Sequence, residues 1–259
     1  MNTIPIRIIS LASRPDRRQR IAGQFDRLGI SGYSFLDAVN GRQRPDHPLF
    51  AHYDPVARAR VRGRGRDLMP SQLGCFASHY LLWQECADSG RPLIVVEDDA
   101  ILKGNFPDML EHAQALLGAW PFIWLHEYDR PGRDAFTLVG RVGPFALTRK
   151  LKRHSCSVAY LLAPEGARAL LDGGRTWIYP VDDMMFRFYE HGVENIAIRP
   201  ACVAQDHESP SDITGADAES PLPLTDKVRR EAYKARDTVW RLLHNIRFRI
   251  HHHHHGLSA

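Results

Sequence analysis

Four consecutive apolar residues, Leu93-Ile94-Val95-Val96, run straight into three carboxylates, Glu97-Asp98-Asp99, and few folds can hold that junction. A short, unbroken apolar run after Gly90 and Pro92 predicts a strand buried on both faces, as in a parallel sheet. Three acids directly after it repel one another and resist ionisation unless something neutralises them. Open α/β sheets bind ligands at the carboxyl ends of their strands, which is where such a cluster would lie. A hard divalent cation, Mn²⁺ or Mg²⁺, takes carboxylate oxygens together with substrate phosphates and can stabilise a diphosphate leaving group. Spacing alone leaves open a simpler role, in which the acids cap the next helix or pair with surface arginines.

The flanking chain supports an α/β reading. Ile6 to Leu11 is an apolar run that predicts a strand, and a helix follows from Pro15 with Ile21, Phe25 and Leu28 in step. A second strand is expected over Tyr33 to Val39, closed by Asn40-Gly41, which makes a βαβ unit and a parallel pair. Residues 42–68 read as a long loop. Ser71 is placed to cap a helix reaching about Asp88. Beyond the acids, a helix over Phe106 to Leu117 and a strand over Phe122 to Leu125 are expected, then a looser segment to Lys152. A strand at Val158 to Leu162 and a helix from Pro164 come next. A short helix follows Val181-Asp182-Asp183, and the last strand covers Glu194 to Arg199. Glu208 to Pro223 has a linker's composition, and Asp226 to Ile250 reads as a basic amphipathic helix.

Several classes of protein are disfavoured. The 259 residues suit one large α/β domain, and no stretch of about eighteen apolar residues predicts a membrane-spanning helix. Met1 to Ser10 lacks the features of a secretory signal, so a cytoplasmic protein is expected. Cys75, Cys86, Cys156 and Cys202 form no C-x-x-C pair, which argues for buried thiols over structural zinc. The net charge is only +4, but it gathers at Arg58 to Arg66 and at Lys227 to Arg249. Nucleic acid is not the expected partner, because the first cluster has no aromatic side chains to stack bases. The run His251 to His255 is set aside as a tail of tag-like composition.

Other residues could join the acids. Asp182-Asp183 suits a general base for an attacking hydroxyl, with helix capping as the alternative. Arg14, Arg17 and Arg18 follow the first strand, where they could neutralise phosphate or simply face solvent. His79 and His207 stand alone, and a lone histidine is more often a structural hydrogen-bonding group than a ligand.

Taken together, the motifs resemble glycosyltransferase family 25, which includes bacterial lipooligosaccharide galactosyltransferases and collagen galactosyltransferase domains. Ile8-Ile9-Ser10-Leu11 with Arg14 and Asp16-Arg17-Arg18, then Phe35 to Gly41, is similar to the family's opening. Gly74-Cys75, Ser78-His79, Trp83 and Val96-Glu97-Asp98-Asp99 resemble its central signature. Ala159 to Leu162, Gly166-Ala167 and Pro180-Val181-Asp182 are similar to its third block. The blocks occur in order over roughly Ile6 to Gln205. The arginine-rich 58–66 stretch and Phe122 to Lys152 match no family motif.

The resemblance implies a GT-A-like (Rossmann-type) α/β fold, with a mixed, mostly parallel sheet flanked by helices and a C-terminal basic helix. It implies an inverting transfer of a hexose, galactose above others, from a UDP-sugar to a glycan hydroxyl in lipopolysaccharide or other cell-surface glycan synthesis. By position, Asp99 becomes the first metal ligand, and Glu97 and Asp98 orient the donor ribose or sugar. Arg14 and His79 fall near the nucleotide, and His207 offers the metal a late histidine. Asp182 or Asp183 becomes the base. The expected division is a catalytic domain at 1–207, a linker or flap at 208–224, a basic helix at 225–250 and a tail at 251–259. A lipid-linked acceptor would place the protein at the inner face of the cytoplasmic membrane, with the 225–250 helix on anionic lipid. The alternative is a non-catalytic member acting as a scaffold or basic-patch binding protein.

Overall fold

The computed structural model describes residues 4–126, 136–151, 156–206 and 223–253. The apolar runs form the strands and the prolines open the helices. Strand β1 (Ile6–Ser10), helix α1 (Pro15–Arg27) and strand β2 (Tyr33–Asp37) form the expected parallel βαβ unit. A 3-10 turn (Pro48–His52), α2 (Pro55–Arg62) and α3 (Pro70–Ser89) lead to β3 (Leu93–Glu97), and β4 (Ala100–Leu102) follows the acids directly. Then come α4 (Phe106–Ala119), β5 (Phe122–Trp124), β6 (Phe136–Val142), β7 (Phe145–Lys150) and β8 (Ala159–Leu162). The chain continues through α5 (Pro164–Gly173), α6 (Val181–Met185), α7 (Phe188–His191), β9 (Ile196–Arg199), β10 (Val203–Gln205) and α8 (Leu224–His253). Helices α1 to α5 each carry proline in the first turn, where its missing N–H has no helical partner to lose.

The main sheet has the order β2-β1-β3-β8-β5-β9-β7-β6. With β1 as reference, β2, β3, β5, β9 and β6 run with it, and only β8 and β7 run against it. This is the mixed, mostly parallel, helix-flanked sheet that the resemblance implied, followed by a helical C-terminal segment. Alternation along the strands splits the core into two layers. Ile6, Ile8, Ile94, Val96 and Ile123 pack with Ile21, Phe25, Phe106 and Met109 of α1 and α4. Leu93, Val95, Trp124 and Tyr160 face the other way, onto Phe76, Trp83, Ala167 and Met184 of α3, α5 and α6. Burial on both faces explains why β3 carries no polar residue before Glu97.

The structure corrects four expectations. Residues 42–68 are not a bare loop: Asp54 caps α2 by accepting from Ala57 N at 2.8 Å, with Pro55 as its first residue. Arg58 is buried beneath it, donating to Arg66 O at 2.7 Å and Ile178 O at 3.0 Å. The looser segment after Phe122 contains the β6–β7 hairpin, turned at Gly143 with φ +52°. Ser71 does not cap α3; the helix starts at Pro70, and Gln72 Oε1 accepts from Met69 N at 3.0 Å. The basic helix does not stop at Ile250 but enters the histidine run as far as His253. Most of the 208–224 linker lies outside the described residues.

Two glycines set how the loop after β2 meets α3. A Cβ on Gly74 would lie 2.2 Å from Val39 O and 2.8 Å from Gly41 N, and one on Gly41 would lie 1.8 Å from Pro70 O. Backbone meets backbone there, so no side chain can give way. Gly74→Ala is expected to destabilise the fold by about 1–3 kcal/mol, read as a lower urea midpoint at unchanged slope. An unchanged midpoint would mean the loop moves away freely.

Candidate active site

Sheet topology brings the carboxyl ends of β1, β3 and β5 to one edge. Because β8 is antiparallel to β3, its start arrives at the same edge, where Glu97 N donates to Val158 O at 2.8 Å. The short β4–β10 pair carries Gln205 and Asp206 back beside the acids, with Asp206 N donating to Asp99 O at 3.0 Å. Three carboxylates in sequence thereby meet three different surroundings.

Glu97 is held by the core. It accepts from Ser157 Oγ at 2.5 Å and lies 3.2 Å from His79 Nε2. His79 is fully buried, and its Nδ1 is 2.9 Å from Tyr160 OH, which also accepts from Trp83 Nε1 at 3.0 Å. All of these groups are satisfied when His79 carries its proton on Nε2 and Tyr160 donates to Nδ1. Burial pushes Glu97 up, but the His79 and Ser157 hydrogen bonds outweigh it and hold the group below its usual range.

Asp98 faces α1. Ser10 Oγ donates to it at 2.7 Å and Arg17 Nη1 at 3.2 Å, yet burial still leaves its carboxyl above the ordinary value. Asp99 is the least compensated. Gln205 Nε2 approaches its Oδ2 at 3.5 Å, while Oδ1 is buried with no hydrogen-bond partner among the described residues. Burial first, then the charge of Glu97, pushes Asp99 up to about 7. A buried, unsatisfied carboxylate oxygen is costly unless a ligand completes it.

Two pockets adjoin at Cys75. The first, about 280 Å³, is walled by Arg14, Arg17, Arg42 and Asn40, with Asp98 and Asp99 on its floor. The second, about 300 Å³, is walled by Asp182, Asp183, Ser157, Cys156 and Gln205. Burial, then the charges of Glu97, Asp182 and Asp99, pushes the Cys75 thiol well up, so carboxylates crowd it from both pockets.

The structure therefore gathers Arg14, Asp98 and Asp99 in one pocket and Asp182 and Asp183 in its neighbour. His79 is placed behind Glu97, and neither of the two lines either pocket. Arg14 holds Asp16 with two hydrogen bonds, of 3.0 and 2.8 Å. Arg18 turns to Asp37 at 2.5 Å, away from the acids. Asp183 is ion-paired with Arg62 of α2, whereas Asp182 lies on the open side and accepts from Asp183 N at 2.8 Å. His207 lies outside the described residues. Among the described residues, no group of three or more His, Cys, Asp or Glu converges as a metal-ligand set. Asp99 nonetheless fits a cation completed by ligand oxygens, since Mg²⁺-type sites often use one or two carboxylates and substrate phosphates. The sequence does not single out Ser10, Ser157 or Gln205, and Arg17, a phosphate candidate there, also holds Asp98. Ser10 and Arg17 lay inside a recognised motif, but Gln205 reaches the site only through the β4–β10 pairing.

The profile of glycosyltransferase family 25 (LPS biosynthesis protein) matches residues 3–185. A bovine (Bos taurus) protein named probable inactive glycosyltransferase 25 family member 3 is 27% identical over 246 residues, covering 85% of this chain and 39% of its own. The lacto-N-neotetraose biosynthesis glycosyltransferase LgtB of Neisseria meningitidis serogroup B is 27% identical over 216 residues, covering 77% and 74%. Among solved structures, mannose-1-phosphate geranyltransferase from Thermus thermophilus aligns at TM-score 0.38 and 14% identity, over 76% of this chain and 69% of its own. The chain spans about a fifth to two fifths of the length of the first curated relatives it matches.

The Asp99 environment gives a pH test. The folded chain keeps the Asp99 proton up to about pH 7, while an unfolded aspartate loses it near about 3.9. Between those values the folded state binds more protons, so this group's contribution to stability falls as pH rises from about 4 through 7. Asp99→Asn removes that fall. In EDTA, the variant should lie close to wild type in urea near pH 4 and exceed it by on the order of 4 kcal/mol near pH 8. A difference independent of pH would assign the titration elsewhere.

Proposed function

The chain belongs to glycosyltransferase family 25, and from that premise we propose that it is an inverting, metal-dependent transferase. It moves a hexose, galactose first, from a UDP-sugar to a glycan hydroxyl in lipopolysaccharide or related cell-surface glycan synthesis. The observation that carries the reading is Asp99 Oδ1, buried and unsatisfied on the floor of an arginine-walled pocket. Mn²⁺ or Mg²⁺ held there by Asp99, with His207 as a further candidate ligand, would take up charge on the departing diphosphate. Arg14 and Arg17 line the same pocket and suit the phosphates. Asp98, fixed by Ser10 and Arg17, and Glu97, fixed by Ser157 and His79, orient the donor without moving themselves.

The acceptor belongs in the adjoining pocket. Its hydroxyl oxygen forms a bond to the anomeric carbon as the bond from that carbon to the UDP oxygen breaks, and the hydroxyl proton passes to Asp182. Asp182 is preferred to Asp183 because it is the more exposed of the two acids lining that pocket, while Asp183 is buried and held by Arg62. The acceptor is lipid-linked in this reading, and the enzyme works at the inner face of the cytoplasmic membrane with α8 toward the lipid. The bovine relative's printed name, probable inactive, keeps a non-catalytic scaffold in play as the second reading.

A panel of UDP-sugars with Mn²⁺ or EDTA separates the two. Metal-dependent UDP release from one donor should be lost in Asp99→Ala. Asp182→Asn should cut transfer by about 10²–10⁴-fold while UDP binding persists. Asp183→Asn should mainly lower the urea midpoint. Absence of both UDP release and calorimetric UDP binding would establish the scaffold.

A further inference from the structure

Helix α8 is amphipathic in an inverted sense: its inner face is polar and its outer face is apolar. Asp237 pairs with the buried Arg187 at 2.8 Å, Asn245 accepts from Arg149 at 2.7 Å, and His244 meets Glu194 at 2.6 Å. Phe248 lies under the Arg149 guanidinium, 4.0 Å from the ring centre, and stacks with Trp120. These contacts fix which side of the helix touches the body. Eight of the twelve large hydrophobic side chains exposed among the described residues belong to α8.

At 3.6 residues per turn, Val228, Val239, Leu242, Leu243, Ile246 and Ile250 fall within an arc about 100° wide. Each is more than half exposed. Arg229, Arg236 and Arg247 border one side of that arc, and Lys227 and Arg249 border the other. The acid on this rim, Glu231, is already taken by Lys234 at 2.8 Å. An apolar strip between two cationic rims is complementary to a bilayer carrying anionic headgroups. It is poorly complementary to itself, because face-to-face pairing of two copies would bring cationic rims together.

Where α8 begins, it encloses a pocket of about 510 Å³ against α2. Arg60, Arg64 and Arg229 line it, with Asp226 as the sole carboxylate among the described lining residues. Asp226 is buried and pairs with Arg64 at 3.3 Å and Arg229 at 2.6 Å. Among the described residues, three guanidinium groups against one carboxylate leave the cavity cationic. On the helix, Arg229 lies about 80–100° around from the apolar strip, so the pocket flanks the surface that would meet lipid. Val56, 60% exposed, extends the apolar surface on the α2 side.

We propose that α8 lies flat on an anionic bilayer, with its outer strip among the acyl chains and a lipid phosphate headgroup held in the Arg60–Arg64–Arg229 pocket. This deepens the membrane part of the proposed function and is independent of its catalytic part.

Vesicle co-sedimentation of the full chain tests it, with phosphatidylglycerol-containing and phosphatidylcholine-only vesicles, near pH 8 in EDTA so that the histidine run carries neither charge nor metal. Wild type should favour the anionic vesicles. Leu242→Glu with Ile246→Glu should lower binding at least about tenfold, and Arg60→Ala about fivefold on anionic vesicles only. Arg168→Ala, which removes an exposed cation of α5 away from both the pocket and α8, should change binding less than about twofold. Equal losses from Arg60→Ala and Arg168→Ala would overturn the headgroup pocket. Wild-type levels in the double glutamate variant would overturn the whole proposal, as would a wild-type dimer by sedimentation that the variant dissolves without any vesicle binding. UDP release on the same variants should be unchanged, so failure of the membrane inference and failure of the transfer reading give different results.

Discussion

Three carboxylates on consecutive residues repel one another, and at the end of a doubly buried strand they also lose water. The surrounding structure compensates two of them and leaves the third. Glu97 is held by Ser157 and by a buried chain from Trp83 through Tyr160 and His79. Asp98 is held by the last residue of β1 and by α1. Among the described residues Asp99 has only the distant amide of Gln205, and burial beside Glu97 pushes its carboxyl up to about 7. Much of the sheet order serves this division: β1 and α1 must flank β3 on one side, and the start of β8 must flank it on the other.

The two pockets follow from the same arrangement. Loops after β1 and β2 wall the first, and close backbone packing of Val39 and Gly41 on Gly74 fixes their height above α3. The second is walled by the start of β8, the end of β10 and the start of α6, so it draws on later parts of the chain. Cys75 on α3 is the shared wall. A reaction between two bound molecules needs this kind of adjacency, since holding the reacting groups together removes much of the entropic barrier.

Six of the ten strands among the described residues, most of the helices and the acidic cluster were legible because each depends on local pattern: short apolar runs, proline at helix starts, and acids at a strand end. What was not legible depends on partners distant in sequence. His79 sits in a recognised block, but its neighbours Tyr160 and Glu97 decide that it braces a carboxylate and does not line a pocket. Asp182 and Asp183 look equivalent until Arg62, more than a hundred residues earlier, engages one of them. The short α2 was overlooked although Asp54-Pro55 is a helix-start signal, because the arginines that follow it show no apolar periodicity. Strands of three residues, such as β4 and β10, leave almost no pattern to find.

The reversed direction of β8 has a consequence for how the two pockets are joined. A parallel strand contributes to this edge only with what comes after it, and here those segments wall the first pocket. A strand running the other way contributes what comes before it, so Cys156 and Ser157 enter the second pocket ahead of β8 while the strand's interior stays locked in the core. Ser157 shapes the second pocket and, through its bond to Glu97, ties that wall to the acidic cluster, so a change just upstream of Val158 is felt on both sides of Cys75.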